Sequence, residues 1–473
     1  MNQTTAAKKN GLFYGWIIVV VSTLALVVSN GLSTTGIPVF YKAVREEFVA
    51  VGAVQSGYAE SFIANGAYIT FLMSGVFSLV GGWLATKFKL RNIMIFGCVL
   101  LGGGLLLHSQ TDSPNAVYFS RFLMGASLGF VGVAPNVLLV SNWFSRLRGT
   151  AIGIILTGTS FGGVLIPLIA TPLIMQYGWR TAMVFVSLIV WLILLPAVLF
   201  LVKNKPEGAG LLPDGAKNQL RITNYELRNE NNESQTEWES EKQKNSESKN
   251  RENRENKIQN PKSKIQNPNA GYTLAQAIKT PLFWIFALCA AMIFYPIFVT
   301  SQQFILYLQT PKIGLSAQSA SIAQSSLFAV SVGGKFLFGF LSDRFAPARV
   351  MLLCCLLMFA ATFVLLALSA NTAFLFLIPF GLGYGGTFVL LQRLVADFFG
   401  TREYGKILGL ITVIETVGAA IGGKITASLA DSAGGDYTRA FYGVILTTGA
   451  ALVLVILLNF YGQSQNRRRE INF

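Results

Sequence analysis

Gly339-Phe340-Leu341-Ser342-Asp343-Arg344-Phe345-Ala346-Pro347-Ala348-Arg349 decides the reading of this chain, because long apolar runs flank it and a counterpart stands 257 residues earlier: Gly82-Trp83-Leu84-Ala85-Thr86-Lys87-Phe88-Lys89-Leu90-Arg91. A second match lies further on. Val140-Ser141-Asn142-Trp143-Phe144 with Gly149-Thr150-Ala151-Ile152-Gly153 resembles Val395-Ala396-Asp397-Phe398-Phe399 with Gly405-Lys406-Ile407-Leu408-Gly409, at an offset of 255 to 256. A near-constant offset at separate places marks two copies of one unit.

Working outward, each copy holds six apolar stretches, at 12–36, 56–85, 91–109, 117–142, 149–175 and 181–202, then 280–307, 318–341, 349–368, 372–398, 405–429 and 438–460. Each is long enough to cross a hydrocarbon core of about 30 Å as a helix. With 52% hydrophobic and 12% charged residues, the expectation is an all-α polytopic membrane protein, twelve transmembrane helices in two pseudo-symmetric six-helix halves. The halves are 1–202 and 280–473. Between them, 203–279 is rich in Asn, Glu, Lys, Ser and Gln and holds 14 of the 37 Lys and Arg and 11 of the 22 Asp and Glu. It has too little apolar surface to offset its ordering entropy and reads as a largely disordered cytoplasmic linker. Parallel repeats of this kind place a cavity between the halves near the bilayer midplane, the arrangement of an alternating-access carrier.

The formal net charge of +15 follows orientation. With both termini cytoplasmic, the short inner segments carry 14 Lys and Arg and the outer loops 5, namely Lys42, Arg45, Arg180, Lys312 and Arg439. Loop Lys and Arg set topology in this way. The basic balance therefore points to membrane lipids and away from nucleic acid. Cys98, Cys289, Cys354 and Cys355 all sit in apolar stretches, where free Cys acts as a small hydrophobe. Neither disulfide nor metal site is expected, and no cofactor motif is found.

The Gly-x-Leu-x-Asp-Arg-Phe run at Gly339 resembles the signature loop of the major facilitator superfamily, with Thr86 standing where that family usually has an acid. Tyr14-Gly15-Trp16, the Trp143-Phe144-Ser145-Arg146-Leu147-Arg148-Gly149 entry to the fifth stretch, and Pro206-Glu207-Gly208 after the sixth are similar to its monocarboxylate porter and oxalate:formate antiporter branch. The resemblance implies gating loops at Gly82, Lys87, Gly339, Asp343 and Arg344, and a cavity lined by the eighth and eleventh stretches.

Charges inside a span cost about 2.5 to 3.5 kcal/mol each on insertion scales and mark functional sites. Lys335 and Glu415 lie eight residues before Asp343 and ten after Gly405, hence at similar depth. Gly334-Lys335-Phe336-Leu337-Phe338-Gly339 resembles the stretch where anion-carrying relatives place a substrate-contacting Arg. Glu415 reverses the charge of a second cation in the oxalate carrier. Either the two pair when the site is empty and an organic anion displaces the carboxylate, which takes a proton, or they only hold the halves in register. Arg121 is a coupling residue by resemblance or else a carbonyl-paired anchor. Tyr295, Gln302 and Tyr384 are candidate pocket walls, with Pro296 a hinge and Gln303 beside Gln302. Glu60 and Lys424 either gate the outer mouth or snorkel to interfacial water, the second being the plainer reading, and Arg393 with Asp397 is read as a helix-surface pair.

Gly158-Thr159-Ser160-Phe161-Gly162 fits a nucleophile elbow, but it lies within an apolar span and the only histidine, His108, precedes it. Gly381-Leu382-Gly383-Tyr384-Gly385-Gly386 has no preceding strand to make a dinucleotide site. The expectation is thus no enzyme but a secondary carrier of a small organic anion, a monocarboxylate foremost, in the plasma membrane, monomeric, working by proton symport or exchange with a counter-anion. Export of amphipathic compounds and nutrient sensing on a carrier fold are the alternatives.

Overall fold

A helix satisfies every backbone group internally, which makes it the form that an apolar segment takes in hydrocarbon. The computed structural model describes residues 13–85, 87–144, 147–209, 211, 213–214, 271–369, 372–400 and 402–471, and these form helices with no strand. Eleven of the described helices are long and apolar enough to cross a membrane. One, Gly149–Leu201, runs 53 residues, about twice what a bilayer needs. It breaks at Gly178, whose φ of 78° and ψ of 162° carry no steric penalty in the absence of a Cβ. That break makes two spans of one helix, so the twelve are: span one (Tyr14–Thr35), two (Ser56–Leu84), three (Leu90–Ser109), four (Pro114–Trp143), five and six (Gly149–Leu201), seven (Pro281–Leu308), eight (Ala317–Arg344), nine (Pro347–Ala367), ten (Ala373–Phe399), eleven (Tyr404–Ser432) and twelve (Thr438–Phe460).

Six spans return the chain to the side on which it entered. The Tyr14 hydroxyl accordingly donates to the Leu201 carbonyl at 2.9 Å. This side is called the linker face below, and the opposite side the far face. Beyond span one the chain continues helically, through Ile37–Phe40 into Tyr41–Ala50, where a loop was expected. Span four bends at Gly132, and Asn136 compensates by donating to the carbonyls of Val131 and Gly132 at 2.9 and 2.8 Å. Span seven stays helical through Pro296.

Residues 215–270, most of the expected linker, lie outside the described residues, as does Thr86. The described ends of the linker are tied down. The Asp214 carboxylate accepts from the Leu147 amide at 2.8 Å, while Glu403 accepts from Leu274 at 2.7 Å beside a helix capped by Thr273.

Glycines show where the helices meet. A Cβ at Gly158 or Gly162 of span five would come within 2.7 and 2.4 Å of span-one carbonyls, and one at Gly163 within 2.4 Å of Phe328 in the other half. Toward the linker face the pattern reverses. Gly82, Gly149, Gly153, Gly339, Gly405 and Gly409 would meet nothing within 4 Å. The two halves therefore touch from mid-depth to the far face, through Ser160 with Ser331 at 2.9 Å and Thr171 with Ser321 at 2.5 Å, and part toward the linker face.

Candidate functional site

Lys335 lies at the level where the halves begin to part. Small residues set its direction: a Cβ on Gly385 of span ten would fall 2.1 Å from the Ser331 carbonyl, so spans eight and ten pack backbone to backbone and the lysine turns to the other half. Its side chain is buried, and Nζ donates to the Leu156 carbonyl at 3.0 Å and the Thr159 hydroxyl at 2.7 Å of span five. The Phe388 ring lies 4.7 Å away on its other side. Among the described residues no carboxylate pairs with it. A buried cation held only by neutral groups retains its full attraction for an anion.

Glu415 is half-buried on span eleven beside Thr412. The expected Lys335–Glu415 ion pair is not formed. Both residues sit at like depth, but Lys335 leans to span five, whereas span eleven packs on spans two and seven, through Thr416 near Gly75 and Ala291 near Gly418. Depth gives one coordinate; the azimuth around the cavity is the other.

Arg121 is fully buried near the far face, and its Nη2 donates to the Tyr41 hydroxyl. Tyr41 passes the chain on to Gln302 Oε1 at 2.7 Å, and Gln302 Nε2 donates to the Thr34 carbonyl at 2.8 Å. Span four is thus linked through the Tyr41–Ala50 helix to span seven of the other half. Among the described residues Arg121 Nη1 has no hydrogen-bond partner. Gln303 turns inward to the Gly423 carbonyl at 2.8 Å. Tyr295 bonds Thr426 at 2.8 Å and Tyr384 stands edge-on to Phe328, so both pack within the C-terminal half.

Glu60 corrects the snorkelling expectation. It is 7% exposed and accepts from Arg45 and from the Tyr437 hydroxyl, the latter at 2.6 Å. Burial and the adjacent Glu60 carboxylate push Tyr437 well above its ordinary value, so it remains a donor. Asp431 at the end of span eleven accepts from the amides of Glu60 and Ser61 at 2.9 and 2.8 Å, a carboxylate at the positive end of span two. Lys424 is exposed, as expected. None of these cross-half partners had a local signal in the sequence; only the cost of burying Glu60 pointed to one.

At the linker face Asp343 pairs with Arg393, which also donates to Ser342 at 2.8 Å. The expected Arg393–Asp397 pair is therefore replaced. Nη1 alone meets two acceptors at the end of span eight, the Asp343 carboxylate and the Ser342 hydroxyl, where a carboxylate one turn along its own helix would offer one. Arg344 lies 4.3 Å from the Phe340 ring and Lys87 4.1 Å from Trp83.

Against known proteins, the model of the Major Facilitator Superfamily matches residues 19–310 and 284–471. The chain is 26% identical to monocarboxylate transporter 12 of Mus musculus over 94% of its own length and 85% of that protein's. It is 22% identical to the oxalate:formate antiporter of Oxalobacter formigenes, covering 96% and 94%, and 24% identical to the MFS transporter asaE of Aspergillus flavus, covering 81% and 74%. Among solved structures, a D-xylose-proton symporter that is 14% identical superposes with a TM-score of 0.66 over 93% of this chain and 97% of that one. A bacterial homologue of the human lysosomal transporter Spinster, inward-facing and unoccupied, is 15% identical with a TM-score of 0.62, covering 97% and 98%. Both speak for the fold.

Proposed function

Since the chain belongs to the Major Facilitator Superfamily, we propose that it is a secondary active transporter of a small organic anion, a monocarboxylate, working by alternating access with proton symport or anion exchange. The observation that carries this reading is Lys335, a buried ammonium between the halves whose contacts in the described residues are all neutral. A carboxylate that enters from the linker face replaces the Leu156 and Thr159 contacts with a charge-assisted one. One ammonium neutralises one carboxylate, and it lacks the fork that would hold a dianion bidentately. The names of the mouse and Oxalobacter relatives fit that substrate class.

Lys335 also bridges spans eight and five, so its capture by substrate loosens one contact between the halves. Glu415, at the same level without a described basic partner, takes the proton in symport. Arg121 and Gln302 hold the far gate. Gly82, Lys87, Gly339, Asp343 and Arg344 form the gate at the linker face. That face is cytoplasmic on the distribution of Lys and Arg, and residues 1–202 and 280–473 rock as units about the linker 203–279.

The test is uptake of radiolabelled monocarboxylates and oxalate into proteoliposomes, with and without an inward proton gradient. Lys335→Gln loses a charge-assisted bond worth about 1.5–3 kcal/mol, so substrate affinity falls about 10- to 100-fold. Glu415→Gln keeps exchange and loses gradient-driven accumulation. Transport by both variants at the wild-type level sinks the reading, and carriage of amphipathic compounds without any anion transfers it to an exporter.

A further inference from the structure

A cavity of about 800 Å³ opens at the linker face of the N-terminal half, away from the space between the halves. The turn between spans two and three, the end of span four and the segment after span six enclose it. Lys87, Lys89, Arg91, Lys203 and Lys205 stand around it, and Glu207 is the one acidic residue in its lining. Among the described residues none of the five cations pairs with a carboxylate.

The cavity has a fixed frame. Asn204 Oδ1 accepts from the Arg91 amide at 2.9 Å, its carbonyl accepts from Asn142 at 3.3 Å, and Trp143 Nε1 donates to the Lys203 carbonyl at 2.9 Å. Three chain segments are thereby tied together around the cavity. All five cations are exposed at the surface, where an anionic lipid surface draws clustered Lys and Arg.

The internal repeat shows that the fold does not require this charge. At the same offset of 257, Lys89 and Arg91 correspond to Ala346 and Ala348, and Asp343 at the equivalent turn is already taken by Arg393. Two of the cavity's cations therefore have no charged counterpart at that offset in the other half. Its edge is apolar: Phe88, which lines it, is 58% exposed, and Trp83, one turn earlier, is 55% exposed at the end of a membrane span. Clustered cations beside exposed aromatics at the level of the span ends match an amphiphile with an anionic head.

We propose that this cavity holds the headgroup of an anionic glycerophospholipid, its phosphodiester against Lys89, Arg91 and Lys205 and its acyl chains along Trp83 and Phe88. A soluble phosphate would use the cations and leave the aromatic edge without a purpose. Lys89, Arg91 and Lys205 take no part in the proposed transport site, and only Lys87 among the cavity's cations belongs also to the proposed gate.

The experiment uses the purified full-length protein in detergent. It measures binding of short-chain phosphatidylglycerol by native mass spectrometry and by thermal shift, with phosphatidylcholine and glycerol 3-phosphate as comparison ligands. Phosphatidylglycerol should bind and raise the melting temperature, with phosphatidylcholine at least tenfold weaker. Lys89→Gln with Arg91→Gln should weaken phosphatidylglycerol at least tenfold, Lys205→Gln alone about threefold, whereas Arg349→Gln in the other half changes nothing. Loss of the double variant to misfolding, seen as a missing size-exclusion peak, leaves Lys205→Gln to decide, and wild-type binding by that variant overturns the proposal. Equal binding of the two phospholipids overturns it too, and glycerol 3-phosphate binding as tightly as phosphatidylglycerol overturns the lipid assignment.

Discussion

At the far face the halves are joined by side-chain chemistry, Asp431 on the first turn of span two, Glu60 on Tyr437 and Gln302 on Tyr41, whereas at the linker face Gly82, Gly153, Gly339 and Gly409 look onto open space. The two ends of one carrier are thus closed by different means. A polar latch holds one end and can be released group by group. The other end offers bare backbone, which closes only if nothing larger than hydrogen stands between the helices. Under the proposed cycle the first sets how readily the far face opens, and the second sets whether the linker face can shut.

The largest effect that tests this contrast comes from two glycines on the same span. Gly162→Leu forces a side chain against the Val27 carbonyl, 2.4 Å from the added Cβ. Overpacking of this kind costs about 1–3 kcal/mol or more, and the variant should lose thermal stability or fail to accumulate. Gly153→Leu enters open space and should melt like the wild type while transport drops at least tenfold. Normal transport by Gly153→Leu would break the comparison, because the linker ends would then never approach.

Next comes the latch. Loss of one partner of a buried ion pair costs about 3–5 kcal/mol, and the Gln in Glu60→Gln can still accept from Tyr437, so the shift toward a far-open state should be smaller, about tenfold. A cysteine introduced at Ser301, which is 5% exposed, should then react with a membrane-impermeant thiol reagent about ten times faster. Unchanged labelling would assign Glu60 to local packing.

The smallest effect concerns Glu47, outside the spans on the far side. Burial pushes its carboxyl up, but hydrogen bonds from Arg180 and Trp179 outweigh that and hold it below the ordinary value of 4.5. A lowered value means that the pair stabilises the protein above the ordinary value and ceases to do so as pH falls through the folded one. Glu47→Gln should flatten that acid limb of the melting curve and leave neutral stability within a few tenths of a kcal/mol, since the pair is over a third exposed. An unaltered acid limb would show that the Glu47–Arg180 pair adds nothing to stability.

The spans, the two halves and the signature turn were legible because membrane insertion writes its requirements in single residues: twenty apolar positions, or a lysine that is costly to bury. Lys335 stood out for that reason. Its partners did not, because a carbonyl such as that of Leu156 is present at every position and carries no signal. Arg393 was matched to Asp397 by helical spacing, yet tertiary contact placed it on Asp343, 50 residues away. Glu60 and Tyr437, 377 residues apart, meet only because two six-span units are laid side by side. Spacing along a span predicts depth, and only the packed bundle supplies direction around the axis.

The chain of donors from Arg121 through Tyr41 and Gln302 to the Thr34 carbonyl also bears on bioenergetics. Hopping of protons along such a string needs a group at one end that releases a proton and one at the other that accepts it. A guanidinium holds its protons at any physiological pH, and an amide carbonyl takes none. The string therefore insulates as it binds: while it is intact it offers a proton no relay, which preserves the gradient that the proposed cycle would draw on.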